Sequence, residues 1–201
     1  MKKKKMIFAI SLLSAAAAAG IFYIYGAGIK GGIYALAAVC MIIIAAEDAM
    51  TRQIHDVLLL AIALLGFADY YIELYSVCSV NSAICRDMLQ GLRNVVILSG
   101  LPGRTAGAFC VSLPMMLTNI ISRRLTGKDS FGSGDVILCA VCGLLLGAER
   151  TLLACAVAFI SAGIYAAFLL FGRKASGQDV FAFGPFISIG FLFEMVQQGL
   201  L

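Results

Sequence analysis

The groups in this chain best able to do chemistry are two aspartates that sit at the ends of apolar stretches. Asp135 closes Phe131-Gly132-Ser133-Gly134-Asp135, just before the run Val136 to Ala148, and Asp48 follows Glu47 after the run Gly31 to Ala46. A carboxylate at the edge of a membrane helix carries a desolvation cost unless it faces protein or water, so its default reading is a functional one. Glycine on both sides of Ser133 removes the Cβ atoms that would hold a second backbone away. Two carboxylates brought close together cannot both stay ionised; they share one proton and titrate as a unit. Such a pair can activate water. The ionised member acts as general base, while the neutral member hydrogen-bonds the peptide carbonyl and then protonates the leaving amine. This chemistry needs no metal, cofactor or covalent intermediate. Taken singly, each aspartate reads as an interfacial residue or a helix cap.

Composition defines the elements that must position the pair. The 201 residues are 62% hydrophobic and 13% charged, with a mean hydropathy of +0.99. That is the composition of a polytopic membrane protein. The expected fold is all-α, a transmembrane helical bundle of six to seven spans forming one domain over 1–201, with no room for a large soluble module. The net charge of +4 follows from the Lys and Arg that membrane proteins gather on cytoplasmic loops, so no nucleic-acid partner is implied. Most of the seven cysteines lie within apolar runs, where a thiol behaves as a small hydrophobe.

In chain order, Lys2 to Lys5 precede the uncharged run Met6 to Ile29, long enough for an uncleaved signal anchor. After the second run and Glu47-Asp48 comes a short polar turn, Ala49 to Asp56, then a third run from Val57 to Tyr75. Asp69 and Glu73, interleaved with Tyr70, Tyr71 and Tyr75, read as a solvated interfacial belt. Ser76 to Arg104 reads as a polar connection, in which Cys78 and Cys85 are candidates for a disulfide. The fourth run, Thr105 to Ser122, holds Pro114, which bends a helix or breaks one of its hydrogen bonds. Val136 to Ala148 covers only ~20 Å at 1.5 Å per residue, so this helix must extend into the glycine motif or past Glu149-Arg150. Thr151 to Gly172 is the sixth run and Arg173 to Asp179 a polar loop. Phe181 opens the seventh, interrupted by Glu194.

With the N-terminus in the cytoplasm and seven alternating spans, ten of the fifteen basic residues fall inside: Lys2 to Lys5, Arg52, Arg123, Arg124, Lys128, Arg173 and Lys174. The same alternation brings Asp48, Asp135 and Phe183-Gly184-Pro185 to the cytoplasmic edge. Asp48 then stands at the negative end of its helix and Asp135 at the positive end of another, which assigns the resting proton to Asp48 and the base to Asp135.

These stretches resemble the type IV prepilin peptidases, membrane aspartic proteases of the glycine-x-glycine-aspartate class. Asp48-x-x-x-Arg52-x-Ile54 is similar to the family's first aspartate segment, Gly132-Ser133-Gly134-Asp135 to its second and Phe183-Gly184-Pro185 to its third, in the same order and spacing. The likeness runs from about Ala45 to Gly190. It implies Asp48 and Asp135 as catalytic residues, with Arg52, Ile54, Gly132, Gly134, Phe183, Gly184 and Pro185 supporting the motifs or contacting substrate. The implied reaction removes a short basic leader from a pilin, pseudopilin or Flp-type precursor at the cytoplasmic face of the cell membrane. Two positions depart from the pattern: His55-Asp56 replaces the family's proline-asparagine, and Ile137 replaces a lysine. The paired Cys-x-x-Cys insertion that accompanies N-methylation in larger members is absent, which points to a peptidase-only form; Cys139 and Cys142 lie inside an apolar run and do not replace it.

The alternatives are specific. A single histidine in the chain argues against a transition-metal centre at Glu47, His55 and Asp56 and for a solvated loop. Arg52 read alone is a topology determinant, and Phe183-Gly184-Pro185 read alone is a helix-start turn. The rival function is a membrane scaffold or transporter component with structural interfacial aspartates. Paired half-helices in two repeats would favour a transporter, and the sequence shows none.

Overall fold

The computed structural model describes the backbone of residues 2–79, 88–171 and 182–200 and the side chains of 9–75, 102–171 and 182–200. Every element among them is a helix: α1 (Lys2–Tyr25), α2 (Ile29–Thr51), α3 (Asp56–Ser79), α4 (Met88–Thr126), α5 (Ser133–Leu146), α6 (Ala148–Phe171) and α7 (Gly184–Leu200). The all-α membrane bundle expected from composition is what forms. Four helices among the described residues are long and apolar enough to cross a bilayer, at Ile29–Thr51, Asp56–Tyr75, Pro102–Thr126 and Ala148–Phe171. The possible Cys78–Cys85 bond and the Arg173 to Asp179 loop fall outside the described side chains.

The core is built where α2, α5 and α7 meet. Met41, Ile44, Leu138, Cys142, Leu145, Ile187, Phe191 and Met195 are all fully or almost fully buried there. Outward-facing Leu60 and Leu64 of α3, Leu113 and Leu117 of α4, and Ile160 and Phe168 of α6 leave the exterior apolar, as a hydrocarbon solvent requires. Lipid tails are as apolar as leucine, so helices in a bilayer associate through close packing rather than through escape from water. The sequence supplies small residues for that purpose. A Cβ built on Gly107 of α4 would run into the backbone at Gly143 and Gly147, and one on Gly143 of α5 into the backbone at Gly107. Gly190 of α7 lies in the same way against the backbone of Ala154 in α6.

Two features differ from the sequence expectation. Most of the connection read between Ser76 and Arg104 is helical backbone, because α3 runs on to Ser79 and α4 starts at Met88 and continues through Pro102 and Pro114. Thr118 Oγ1 donates to the Pro114 carbonyl at 2.8 Å, a local side-chain bond inside the segment that the proline interrupts. Of the two extensions expected for it, α5 takes the one into the glycine motif, starting at Ser133 and ending at Leu146. Gly147, at φ 78, ends it, and α6 begins one residue later. At fourteen residues, α5 spans only ~21 Å.

The second correction concerns Asp69, read with Glu73 as a solvated member of a belt; Glu73 is half-exposed, as that reading expects. Asp69 is 2% exposed, and its Oδ2 accepts from Arg104 Nη2 at 2.8 Å and from the Tyr34 hydroxyl at 3.4 Å. Glu73 Oε2 accepts from the same Arg104 nitrogen at 2.8 Å. The tyrosines divide, since Tyr71 and Tyr75 are exposed as a belt requires, whereas the Tyr70 ring lies beneath the Arg104 guanidinium. The middle of α4 brings the Arg104 cation against Asp69 of α3, and a buried carboxylate is tolerable only with such a partner. Glu194 is likewise buried in α7, with Arg150 at 3.7 Å.

The close helix contacts make a measurable prediction. Gly143→Ala should destabilise the bundle by roughly 1–3 kcal/mol through overpacking against Gly107, seen as a lower unfolding midpoint in detergent. Gly163→Ala, on the open face of α6 where an added Cβ meets nothing, should leave the midpoint unchanged or raise stability by up to about 1 kcal/mol.

Candidate active site

The turn after α2 explains the first motif. Asp48 lies in the last turn of the helix and is buried, while Arg52 takes the left-handed conformation at φ 54 and donates its backbone N–H to the Asp48 carbonyl at 2.9 Å. That cap stops the helix and turns the chain sharply. Thr51 Oγ1 bonds the carbonyls of Glu47 at 2.8 Å and Gln53 at 3.3 Å, which tightens the same turn. Ile54 is thereby laid on the start of α5, where a Cβ on Gly134 would come within 3.3 Å of its side chain. Glycine at 134 therefore permits the contact between the first and second motifs. His55 pairs with Glu47 across 3.0 Å at an exposed position, as a solvated loop histidine should.

The second motif forms the N-terminus of α5. The Gly132 carbonyl accepts the N–H groups of Asp135 at 3.1 Å and Val136 at 3.3 Å, and Asp135 is buried in the first turn. The positive end of a helix favours an acid at that place. The third motif begins α7. The Phe183 carbonyl accepts the N–H groups of Phe186 at 3.0 Å and Ile187 at 3.2 Å, and Pro185 occupies the first turn, where its missing N–H costs no bond. The Gly184 N–H donates to Asp48 Oδ2 at 2.9 Å in a buried position. A Cβ on residue 184 would lie 2.6 Å from that oxygen, so glycine is what allows the carboxylate to reach the helix end. With a helix N-terminus at each carboxylate, the contrast of dipoles that assigned the proton to Asp48 is reduced.

Asp48, Arg52, Ile54, Asp56, Asp135 and Ile137 line one cavity of about 350 Å³. The structure thus brings Asp48, Arg52, Ile54, Gly132, Gly134 and Asp135 around a single hollow, and joins Gly184 to it through Asp48. Ile137 is about half exposed on its wall. A larger hollow of about 660 Å³ adjoins at Gly132 and Ser133, bordered by Arg123, Arg124 and Asp129. Arg123 donates to both oxygens of the exposed Asp129, at 2.9 and 2.5 Å, and holds that carboxyl below its ordinary range. Among the described residues, no three of His, Cys, Asp and Glu come together as a metal site.

The Phe183 side chain lies in a ring cluster with Phe131 and Phe159 at centroid separations of 6.0 and 5.2 Å. The cluster joins the start of α7 to the segment that leads into α5. Sequence reasoning missed Phe159, and it missed Asn119 as well. The Asn119 carbonyl oxygen accepts the N–H groups of Ser130 at 3.0 Å and Phe131 at 2.7 Å, and its amide nitrogen donates to the Phe131 carbonyl at 2.8 Å. A lone asparagine in the apolar run of α4 was the available signal, since an amide there must find backbone partners.

Comparison with a model of the type IV leader peptidase family matches residues 35–167. The matched segment contains Asp48, the capped turn at Arg52, the Gly132 to Asp135 motif and Ile137, and ends before Phe183. Comparisons with curated proteins and with solved structures gave no significant match to either. Since the family match covers well over half of the chain, this multi-pass membrane protein belongs to the type IV leader peptidase family.

Proposed function

We propose that the chain is an aspartic endopeptidase, a single membrane domain in which Asp48 and Asp135 form the catalytic pair. The observation that carries the reading is that two buried aspartates from helices far apart in sequence line one hollow. The pair holds one proton between its two carboxyls. The ionised member removes a proton from water, whose oxygen attacks the scissile carbonyl carbon. The neutral member donates to the carbonyl oxygen, and collapse of the tetrahedral intermediate passes a proton to the departing amine. Asp48 Oδ2 is already engaged by the Gly184 N–H, so Oδ1 is the Asp48 atom through which a proton is exchanged. Gly184 fixes the orientation of that carboxyl, and the Arg52 cap fixes the helix end that carries it.

The substrate in this reading is a prepilin-like precursor with a short basic leader, presented at the cytoplasmic face of the cell membrane and cut just before its apolar helix. Peptidase action without N-methylation follows from the absent Cys-x-x-Cys insertion. Of the acids that the sequence places on this side, Glu47 is paired with His55 and Asp129 with Arg123, and Asp179 lies outside the described residues. Asp48, Asp56 and Asp135 remain at the cleft itself. Their field attracts the Lys and Arg of a leader.

Asp48→Asn or Asp135→Asn should abolish cleavage of a prepilin-type substrate by purified, normally inserted protein, a loss at least of the roughly 10²–10⁴-fold that general acid–base groups supply. The double variant should be no worse than either single one, because the two act as a unit. Glu149→Gln, at an exposed position in the first turn of α6, is the control and should cleave normally. Retained cleavage in both single variants would leave the scaffold reading standing. Gly184→Ala should cost roughly 10²-fold in rate through displacement of the Asp48 carboxyl, with little change in expression. Reversing the leader's charges should slow cleavage at low salt and matter progressively less as ionic strength rises; equal rates at low salt would remove the electrostatic part of the reading.

A further inference from the structure

At the end of the bundle opposite Asp48 lies a buried polar cluster that the reaction does not use. Arg104 of α4 is its centre, with its side chain 14% exposed. One guanidinium nitrogen, Nη1, donates to the carbonyls of Leu144 at 3.3 Å and Leu145 at 3.1 Å, in the last turn of α5. The other, Nη2, donates to Asp69 and Glu73 of α3, at 2.8 Å each. Asp69 Oδ2 also takes the hydroxyl of Tyr34 near the start of α2, and the Gln198 side chain near the end of α7 lies beside Tyr34. The Tyr34 ring stacks on Tyr25 of α1 with centroids 4.4 Å apart, and the Tyr25 hydroxyl donates to the Met195 carbonyl of α7 at 2.9 Å.

The helices tied together here are those that carry the three motifs at their other ends. Tyr34 and Asp48 lie ~21 Å apart along α2, Leu145 and Asp135 ~15 Å apart along α5, and Gln198 and Gly184 ~21 Å apart along α7, at 1.5 Å per residue. The last carbonyls of a helix have no partner within it, and in a bilayer an unpaired carbonyl is costly. Since α5 is too short to carry its end out to the water on both sides of a ~30 Å hydrocarbon layer, a cation at its C-terminus satisfies both the carbonyls and the negative end of the helix. The Gly107–Gly143 contact brings the backbones of α4 and α5 together, and Asn119 holds the segment entering α5. The Arg104 bonds fix the axial position of the other end of α5.

We propose that Arg104 is a positioning residue of the peptidase site: its cap on α5 and its bonds to α3 set the height of Asp135 relative to Asp48. A helix of fourteen residues moves as a rod, so a shift at Leu145 is a shift at Asp135. The guanidinium is suited to the task because its planar fork bridges two carbonyls and two carboxylates at once, which an ammonium cannot do.

The inference rests on the proposed reading of Asp48 and Asp135, and the test separates the two. Arg104→Met and Arg104→Lys are compared with the unaltered protein in detergent or nanodiscs, with a prepilin-type substrate carrying a basic leader and with Asp48→Asn as the zero of activity. Arg104→Met should lower kcat by roughly 10- to 100-fold, as misplacement of reacting groups does, with KM within about twofold. Arg104→Lys should fall between. The bell-shaped pH profile of kcat should narrow on both limbs, because aspartates moved apart are less coupled and their two apparent pKa values draw together. The charged groups sharing the cleft, Arg52 and Asp56, are untouched by either substitution. Hydrogen exchange should rise in α5 ahead of the other helices. A change in stability alone would reduce the yield of active protein without altering the pH profile, and that result, or kcat equal to the unaltered protein, would overturn the proposal. If Arg104→Met fails to insert, the kcat and pH profile of Arg104→Lys decide by the same criteria. If the unaltered protein does not cut the substrate, the dyad reading fails; the positioning role is then decided by exchange in α5, and unchanged exchange in the lysine variant would overturn it.

Discussion

A helix that is too short for its solvent is the constraint from which most of this structure follows. The fourteen residues of α5 reach ~21 Å in a layer whose hydrocarbon is ~30 Å thick. Its N-terminus opens into the hollow that Asp135 and Asp48 share, and its C-terminus is met by Arg104. Full-length spans at the same place would carry their polar ends toward water. A short one keeps an acid and a capped carbonyl end inside the protein, each of which then needs partners on other helices. Arg104 is that partner for the carbonyl end, with Asp69 as its counter-ion, and the glycine faces of α4 and α5 bring it close enough to reach the carbonyls.

The candidate site is assembled from interruptions of helices rather than from their faces. Asp48 precedes a left-handed cap, Asp135 follows a glycine N-cap, and Gly184 starts a helix whose first N–H points at Asp48. Each interruption leaves backbone donors or acceptors that the motif residues then use. The same logic accounts for Asn119, whose side chain bonds three backbone atoms of Ser130 and Phe131 and so holds the segment entering α5. Glycine recurs for steric reasons that differ by position: Gly134 admits Ile54, Gly184 admits a carboxylate, and Gly107 with Gly143 admits a neighbouring backbone.

Family membership and geometry support one another in different parts of the chain. The matched segment, 35–167, spans both aspartates but stops short of Phe183 to Pro185. The third motif is tied to the first by the Gly184 N–H on Asp48, a contact spanning 136 residues of sequence. The departures from the family pattern also have places. His55 is held by Glu47 outside the cleft, whereas Asp56 and Ile137 form part of its wall. Ile137 gives that wall an apolar face beside Asp56 and Arg52.

The sequence by itself determined the class of fold, the helical runs, and the residues that meet at the hollow, because apolar run length and helix-stopping residues are local properties. Asp48, Arg52, Ile54, Gly132, Gly134, Asp135 and Gly184 were legible for the same reason: each sits where a run begins or ends. Only the tertiary structure decided what Asp69 and Glu194 do, since a carboxylate in an apolar run has no visible partner until a cation from another helix packs against it. It also decided that the segment before Arg104 is helical from Met88 and that α5 stops at Gly147 rather than running on through Glu149. Those outcomes depend on which helix ends lie side by side, and buried charge and backbone hydrogen bonding are satisfied by neighbours in space, not by neighbours in sequence.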